Sequence, residues 1–146
     1  MRELFAEMSV LFSHGQSLSL LLVRLVLAYG FLNPLMMKID NIPETGLWFE
    51  SLGILLPFFF AYIVSGAEAI GIVLLFLGLM TRFVSLILGI VMIVAILLVH
   101  LPHGFSASDM GVEIPLYYLL FFVVLLTFGA GKFSLDHLFF SGDDIR

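Results

Sequence analysis

The sequence predicts an all-α membrane protein, a four-transmembrane-helix bundle with short amphipathic interfacial segments. Three observations carry that prediction. Of the 146 residues, 62% are hydrophobic and only 12% are charged, with mean hydropathy +1.19; a soluble domain carries about a quarter charged residues. The apolar residues fall into four runs, about 18–36, 57–78, 83–101 and 115–129, close to the roughly 20 residues a helix needs to cross a bilayer. The connections between them are short, so residues 1–146 read as a single transmembrane domain with no room for a soluble one.

The first sixteen residues place Leu4, Phe5, Met8, Leu11 and Phe12 at helical spacing with Arg2, Glu3 and Glu7 between them. Either a short interfacial helix or a frayed terminus accounts for them. The first apolar run has no basic segment before it and no small-residue cleavage site after it, so it reads as a retained span. It starts near Leu18, contains Arg24, and is kinked or ended by Asn33-Pro34 because proline lacks an amide donor and crowds the preceding turn. Lys38, Asp40, Asn41, Pro43 and Glu44 then form a polar connection to the amphipathic stretch GLWFESLGI, whose Trp48 and Phe49 suit the headgroup level.

The second run, PFFFAYIVSGAEAIGIVLLFLG, carries Glu68 at its midpoint. A central acid costs about 2.5–3.5 kcal/mol on an insertion scale, whereas each Leu, Ile, Phe or Val returns about 0.3–0.6. The twelve such residues between Phe58 and Leu77 together return roughly 5 kcal/mol, so the segment inserts with its acid in place. Gly78 to Arg82 make a tight turn into the third span, which ends in HLPHGF. A loop through Ser106, Asp109 and Gly111 leads to Glu113-Ile-Pro115 and the fourth span, stopped by Gly129 and Gly131. The tail reads as a short interfacial turn capped by Ser134 and an exposed end. Arg2, Arg82, Lys132 and Arg146 lie outside the spans on one side and Lys38 on the other, which places both termini in the cytoplasm.

Net charge −5 argues against nucleic acid, which calls for a basic stripe. The absence of cysteine removes disulfides, thiolate nucleophiles, iron–sulfur clusters and dithiol chemistry. Electron or sulfur chemistry would need a bound cofactor or a partner protein.

A charged side chain within a span faces the bundle interior and pairs. Arg24 lies about 9 Å from the cytoplasmic end of the first span and Glu68 about 15 Å from that of the second, at 1.5 Å per residue. An Arg24–Glu68 ion pair follows as the expectation, either stapling two helices or polarising a ligand. Small residues around the acid, Ser65 with Ala69 and Ala67 with Gly71, allow close helix approach. Ser85, Gly89, Met92, Ile96 and His100 share a face of the third span, which packing alone explains. At the outer face His100 and His103, with Lys38 and Glu113 on neighbouring connections and Met36, Met37 and Met110 at similar depth, are a weak metal set that would favour copper. Structural, hydrogen-bonding histidines account for the pair more simply, and a second possibility is that His100 with Tyr117 or Tyr118 hydrogen-bonds a quinone headgroup.

Several of these segments are familiar together. LLVRLVLAYGFLNP around Arg24, WFESLG (48–53), VSGAEAIGIVLLFLGLMTR (64–82), VHLPHGF (99–105), GVEIPLYYLL (111–120) and GAGKFSLD (129–136) resemble the DoxX family of small four-helix membrane proteins. The match runs in order over most of the chain, and its more specific parts are Gly-x-Glu, Leu-Gly-Leu-x-Thr-Arg and Ser-Leu-Asp; Ala130 stands where many relatives have Pro. The resemblance implies a four-helix bundle with cytoplasmic termini. It also implies one polar site from Arg24, Glu68, His100 and Glu113, and a connection to redox chemistry. The family takes its name from a thiosulfate:quinone oxidoreductase type, and other members resemble accessory subunits of oxidative- or thiol-stress complexes or accompany copper-responsive peptide systems.

The resulting expectation is a bacterial inner-membrane accessory subunit of a redox or stress-response system, more an assistant to an enzyme than a complete one. Its ligand-binding residues would be Arg24, Glu68, His100, Glu113, Tyr117 and Lys38, its ligand a quinone or similar amphipathic molecule, and its surroundings the lipid bilayer and protein partners. Two other readings stay open: a periplasm-facing copper helper using His100 and His103, or a structural anchor assembling as a homo-oligomer.

Overall fold

The computed structural model describes the backbone of residues 2–140 and the side chains of residues 15–139. The amphipathic face expected over residues 1–14 and the exposed end after residue 140 lie outside the described side chains. Within these limits the chain is entirely helix and turn. Three helices are long and apolar enough to cross a membrane, Gly15–Asp40, Pro57–Leu77 and Thr81–His103, and a fourth, Glu113–Phe128, is apolar but shorter.

Helix α1 runs Arg2–Asp40 with Pro34 inside it. Of the two outcomes the sequence allows at Asn33-Pro34, a kink or an end, the helix does not end there, and this decides the site. Proline inside a buried helix is tolerated where neighbouring helices hold the turn around it. Here Gly30, the residue whose carbonyl Pro34 crowds, packs so closely on Tyr118 that a Cβ would overlap the phenol. Phe31 stacks on Tyr118 at 5.8 Å between centroids and meets Phe122 edge-on at 5.6 Å. The helix therefore continues, and Lys38 sits in its last turn instead of in a loop.

Asn41 ends α1's path and caps α2 (Ile42–Ser51), accepting the Glu44 amide at 3.3 Å while its own amide group donates to the Glu44 carboxylate at 3.0 Å. This reciprocal capping with proline in the first turn is a strong helix start. Helix α2 buries Phe49 against α3 and leaves Trp48 half exposed. Helix α3 (Pro57–Leu77) closes at Gly78, φ +68, with the Leu79 amide on the Leu74 carbonyl at 2.9 Å and the Gly78 amide on Leu75 at 3.2 Å. That paired pattern needs a left-handed residue and favours glycine.

Helix α4 (Thr81–Ala95) returns antiparallel, with Leu88 against Gly71. It loosens into a π turn over Ile96–His100 and a 3-10 turn over Leu101–His103. Helix α5 (Glu113–Phe128) packs along α4, and Gly89 rests against Phe122 and Leu119. A six-residue α6 (Leu135–Phe140) follows, with Ser134 accepting the His137 amide at 3.2 Å. Leu27, Phe31, Leu75, Leu88, Phe122 and Leu125 form a closed core, while Phe59, Ile63, Ile70, Val73 and Phe76 on α3 face outward. An outward apolar shell of this extent has no partner in water and is what a bilayer covers.

The turn between α3 and α4 is tied from a distance. The Asp136 carboxylate accepts the Met80 amide at 2.6 Å and the Thr81 amide at 2.9 Å, and the Asp136 amide donates to the Gly78 carbonyl at 2.9 Å. Asp136 thus caps α4 from another part of the chain. Replacing it with Ala costs stability of about 1–2 kcal/mol, the scale of a lost helix cap. Asp136→Asn recovers part of this in detergent unfolding, because its side-chain oxygen still accepts.

Candidate functional site

Glu68 is 1% exposed and sits midway along α3. Its partner is Lys38, whose ammonium lies 2.7 Å from each carboxylate oxygen. The expected Arg24–Glu68 pair does not form, and the reason is helix offset. Arg24 lies level with Gly78, where a Cβ would overlap its guanidinium, and Gly78 is ten residues, about 15 Å, below Glu68. No side chain spans that. Arg24 instead donates to the Phe133 carbonyl and is completely buried.

Lys38 lies fourteen residues, about 21 Å, above Arg24 on the antiparallel helix. The remaining 6 Å or so is covered by its side chain, which tilts toward the N-terminus of its own helix as helical side chains do. Continuation of α1 beyond Pro34 is what brings Lys38 within reach. The signal for it was present in the sequence: Leu20, Arg24, Leu27, Phe31, Leu35 and Lys38 recur at spacings of three and four, and the first five are buried.

Ser65 lies one turn from Glu68 on the same face of α3, since residues three apart are helix neighbours. It is 3% exposed, and its hydroxyl has no hydrogen-bond partner among the described residues. Lys38 has 17% of its side chain exposed. The site is therefore a buried carboxylate, a cation with one proton to spare after two are given to Glu68, and an uncommitted hydroxyl.

The other candidates, His100 and His103 on the turns that end α4 and Glu113 and Tyr117 on the first turns of α5, are hydrogen-bonded locally. His100 donates from Nδ1 to the Met110 carbonyl at 2.6 Å, and His103 to the Val99 carbonyl at 2.8 Å. The Glu113 carboxylate accepts the Ala107 amide at 2.9 Å and the Tyr117 hydroxyl at 3.2 Å. With Val112 and Glu113 amides on the Gly104 and Phe105 carbonyls, these bonds shape the loop. Among the described residues, no hydrogen bond or ion pair joins His100, Glu113 or Tyr117 to Lys38–Glu68, and no three His, Asp or Glu side chains are grouped to hold a metal. Asp136 is the organising residue that reading for chemistry missed; the Ser-Leu-Asp motif was visible, but its tie to residues 78–81 needs the fold.

An outward apolar shell around a core that holds a buried ion pair defines a helical membrane protein. The chain belongs to the DoxX family, whose model matches residues 19–101. It is 34% identical over 132 residues to a Haemophilus influenzae protein described as "Uncharacterized protein", covering 85% of each chain. It is 33% identical over 122 residues to the Bacillus subtilis "Putative oxidoreductase CatD", covering 84% of this chain and 87% of that one. No solved structure matches it.

Proposed function

We propose that this chain is an inner-membrane accessory subunit of a redox or stress-response system, binding a quinone-like molecule at Lys38, Glu68 and Ser65. The carrying observation is the ion pair held in the apolar middle of α3 beside an uncommitted hydroxyl. Ionisable groups at such depth are costly and mark functional sites. The residues fit a ring with carbonyl or hydroxyl edges: the spare Lys38 proton and the Ser65 hydroxyl donate to a carbonyl oxygen, and Glu68 accepts from a hydroxyl. A quinone would supply the electron-carrying chemistry that a chain without cysteine lacks among its own thiols, and a partner protein would exchange the electrons. The name of the B. subtilis relative supports an oxidoreductase connection.

In the same reading all four apolar helices cross the bilayer. Helix α5, 16 residues and about 24 Å long, does so by local thinning of the membrane, and its packing along α4 supports this. Both chain ends then lie at the cytoplasmic face, with the His100–Glu113 loop outside.

The test is quinone retention. Wild-type protein extracted in mild detergent carries ubiquinone or menaquinone, measured by mass spectrometry of the organic extract. Glu68→Gln and the Lys38→Met/Glu68→Met double variant, shown to be folded by circular dichroism, lose about tenfold or more of it, the scale of a hydrogen bond to a charged group. Folded wild type that neither retains nor takes up added quinone overturns the reading. Stoichiometric copper in elemental analysis would instead favour metal handling.

A further inference from the structure

At the end of the bundle opposite the His100 loop, an open depression of about 630 Å³ lies between the Gln16–Leu20 stretch of α1, the start of α4, and residues 128–137. We propose that it binds the phosphate of an anionic phospholipid headgroup. Three observations converge on it.

Its rim carries Arg82, Lys132 and His137. The one carboxylate there, Asp136, is already committed to the Met80 and Thr81 amides, and the buried Arg24 cation lies behind it. With Arg82, Lys132 and Arg24 set against Asp136, the site keeps a surplus of positive charge. Thr81 lines the depression, is fully buried, and has a hydroxyl with no partner among the described residues. A buried hydroxyl left unpaired is costly, and a phosphate oxygen would satisfy it. Finally, Phe83 and Phe128 line the same depression and are more than half exposed. Apolar flanks beside a cationic floor suit a phosphate attached to acyl chains better than free phosphate.

Native mass spectrometry of the full chain, incubated with phosphatidylglycerol or phosphatidylcholine, tests the assignment. Wild type retains phosphatidylglycerol over phosphatidylcholine. Lys132→Gln, at an exposed residue that donates its backbone amide to the Ser17 hydroxyl, cuts the preference about fivefold, the scale of one basic group at a membrane surface. Arg82→Gln/Lys132→Gln abolishes it, and 10-fold excess inorganic phosphate does not displace the lipid. Equal retention of the two lipids, or a preference untouched by both variants, overturns the proposal. Stabilisation by inorganic phosphate without any by phosphatidylglycerol overturns the lipid as the source.

Discussion

Lys38→Met lowers the stability of the folded protein by about 3–5 kcal/mol, and adding Glu68→Met returns most of that loss. Removing one partner of a buried ion pair leaves the other as an uncompensated charge. Glu68 is 1% exposed, and Lys38 is its only hydrogen-bond partner among the described residues. Replacing both with apolar side chains of similar volume removes the desolvation cost together with the attraction, which is often neutral or stabilising. A double-mutant cycle by chemical unfolding in detergent measures the coupling. Additive effects of the two substitutions would mean that the pair is not formed in the protein. The same cycle separates stability from binding, since the double variant is expected to be folded but empty of quinone.

Gly78→Ala is the other large effect, with an expected loss on the order of 3 kcal/mol or more. The backbone at Gly78 is left-handed, φ +68, which alone costs an alanine about 1–2 kcal/mol. The added Cβ also overlaps the Arg24 guanidinium and crowds Ser134, so a buried cation must leave its hydrogen bond to the Phe133 carbonyl. In an Arg24→Ala background the left-handed penalty and the crowding of Ser134 should remain, while the overlap with the guanidinium should not. A thermal-unfolding cycle over these two positions reads the difference. Equal cost of Gly78→Ala in both backgrounds would show that the guanidinium does not occupy that space.

Much of the site was legible before the fold, though not its pairing. Glu68 stands alone among apolar residues at the centre of a span-length run, so its burial and its need for a cation follow from solvation alone. Arg24 was equally clear as a buried cation. Joining the two failed because depth was counted from each helix's own end, and α1 extends further at both ends than its apolar run suggests. The proline at 34 hid the stripe that continues to Lys38. His100 and Glu113 looked like site residues because they are polar groups near an apolar boundary. Residue type does not distinguish a ligand from a bond that closes a loop, and the carbonyls of Met110 and Val99 that take the imidazole protons carry no side-chain signal at all.

Composition and periodicity alone determined that this chain belongs in a bilayer, that its helices are long and apolar, that an acid lies buried in one of them, and that Gly78 turns the chain. These are properties of single segments, set by the cost of exposing or burying each side chain. Tertiary structure decided which cation meets the acid, which end of the chain ties down the α3–α4 turn, and which histidines are spoken for. Hydropathy is nearly unchanged when one apolar helix slides a turn along another. Only the packing of Gly30 on Tyr118, Arg24 at Gly78 and Asp136 beneath α4 sets the register that carries Lys38 to Glu68.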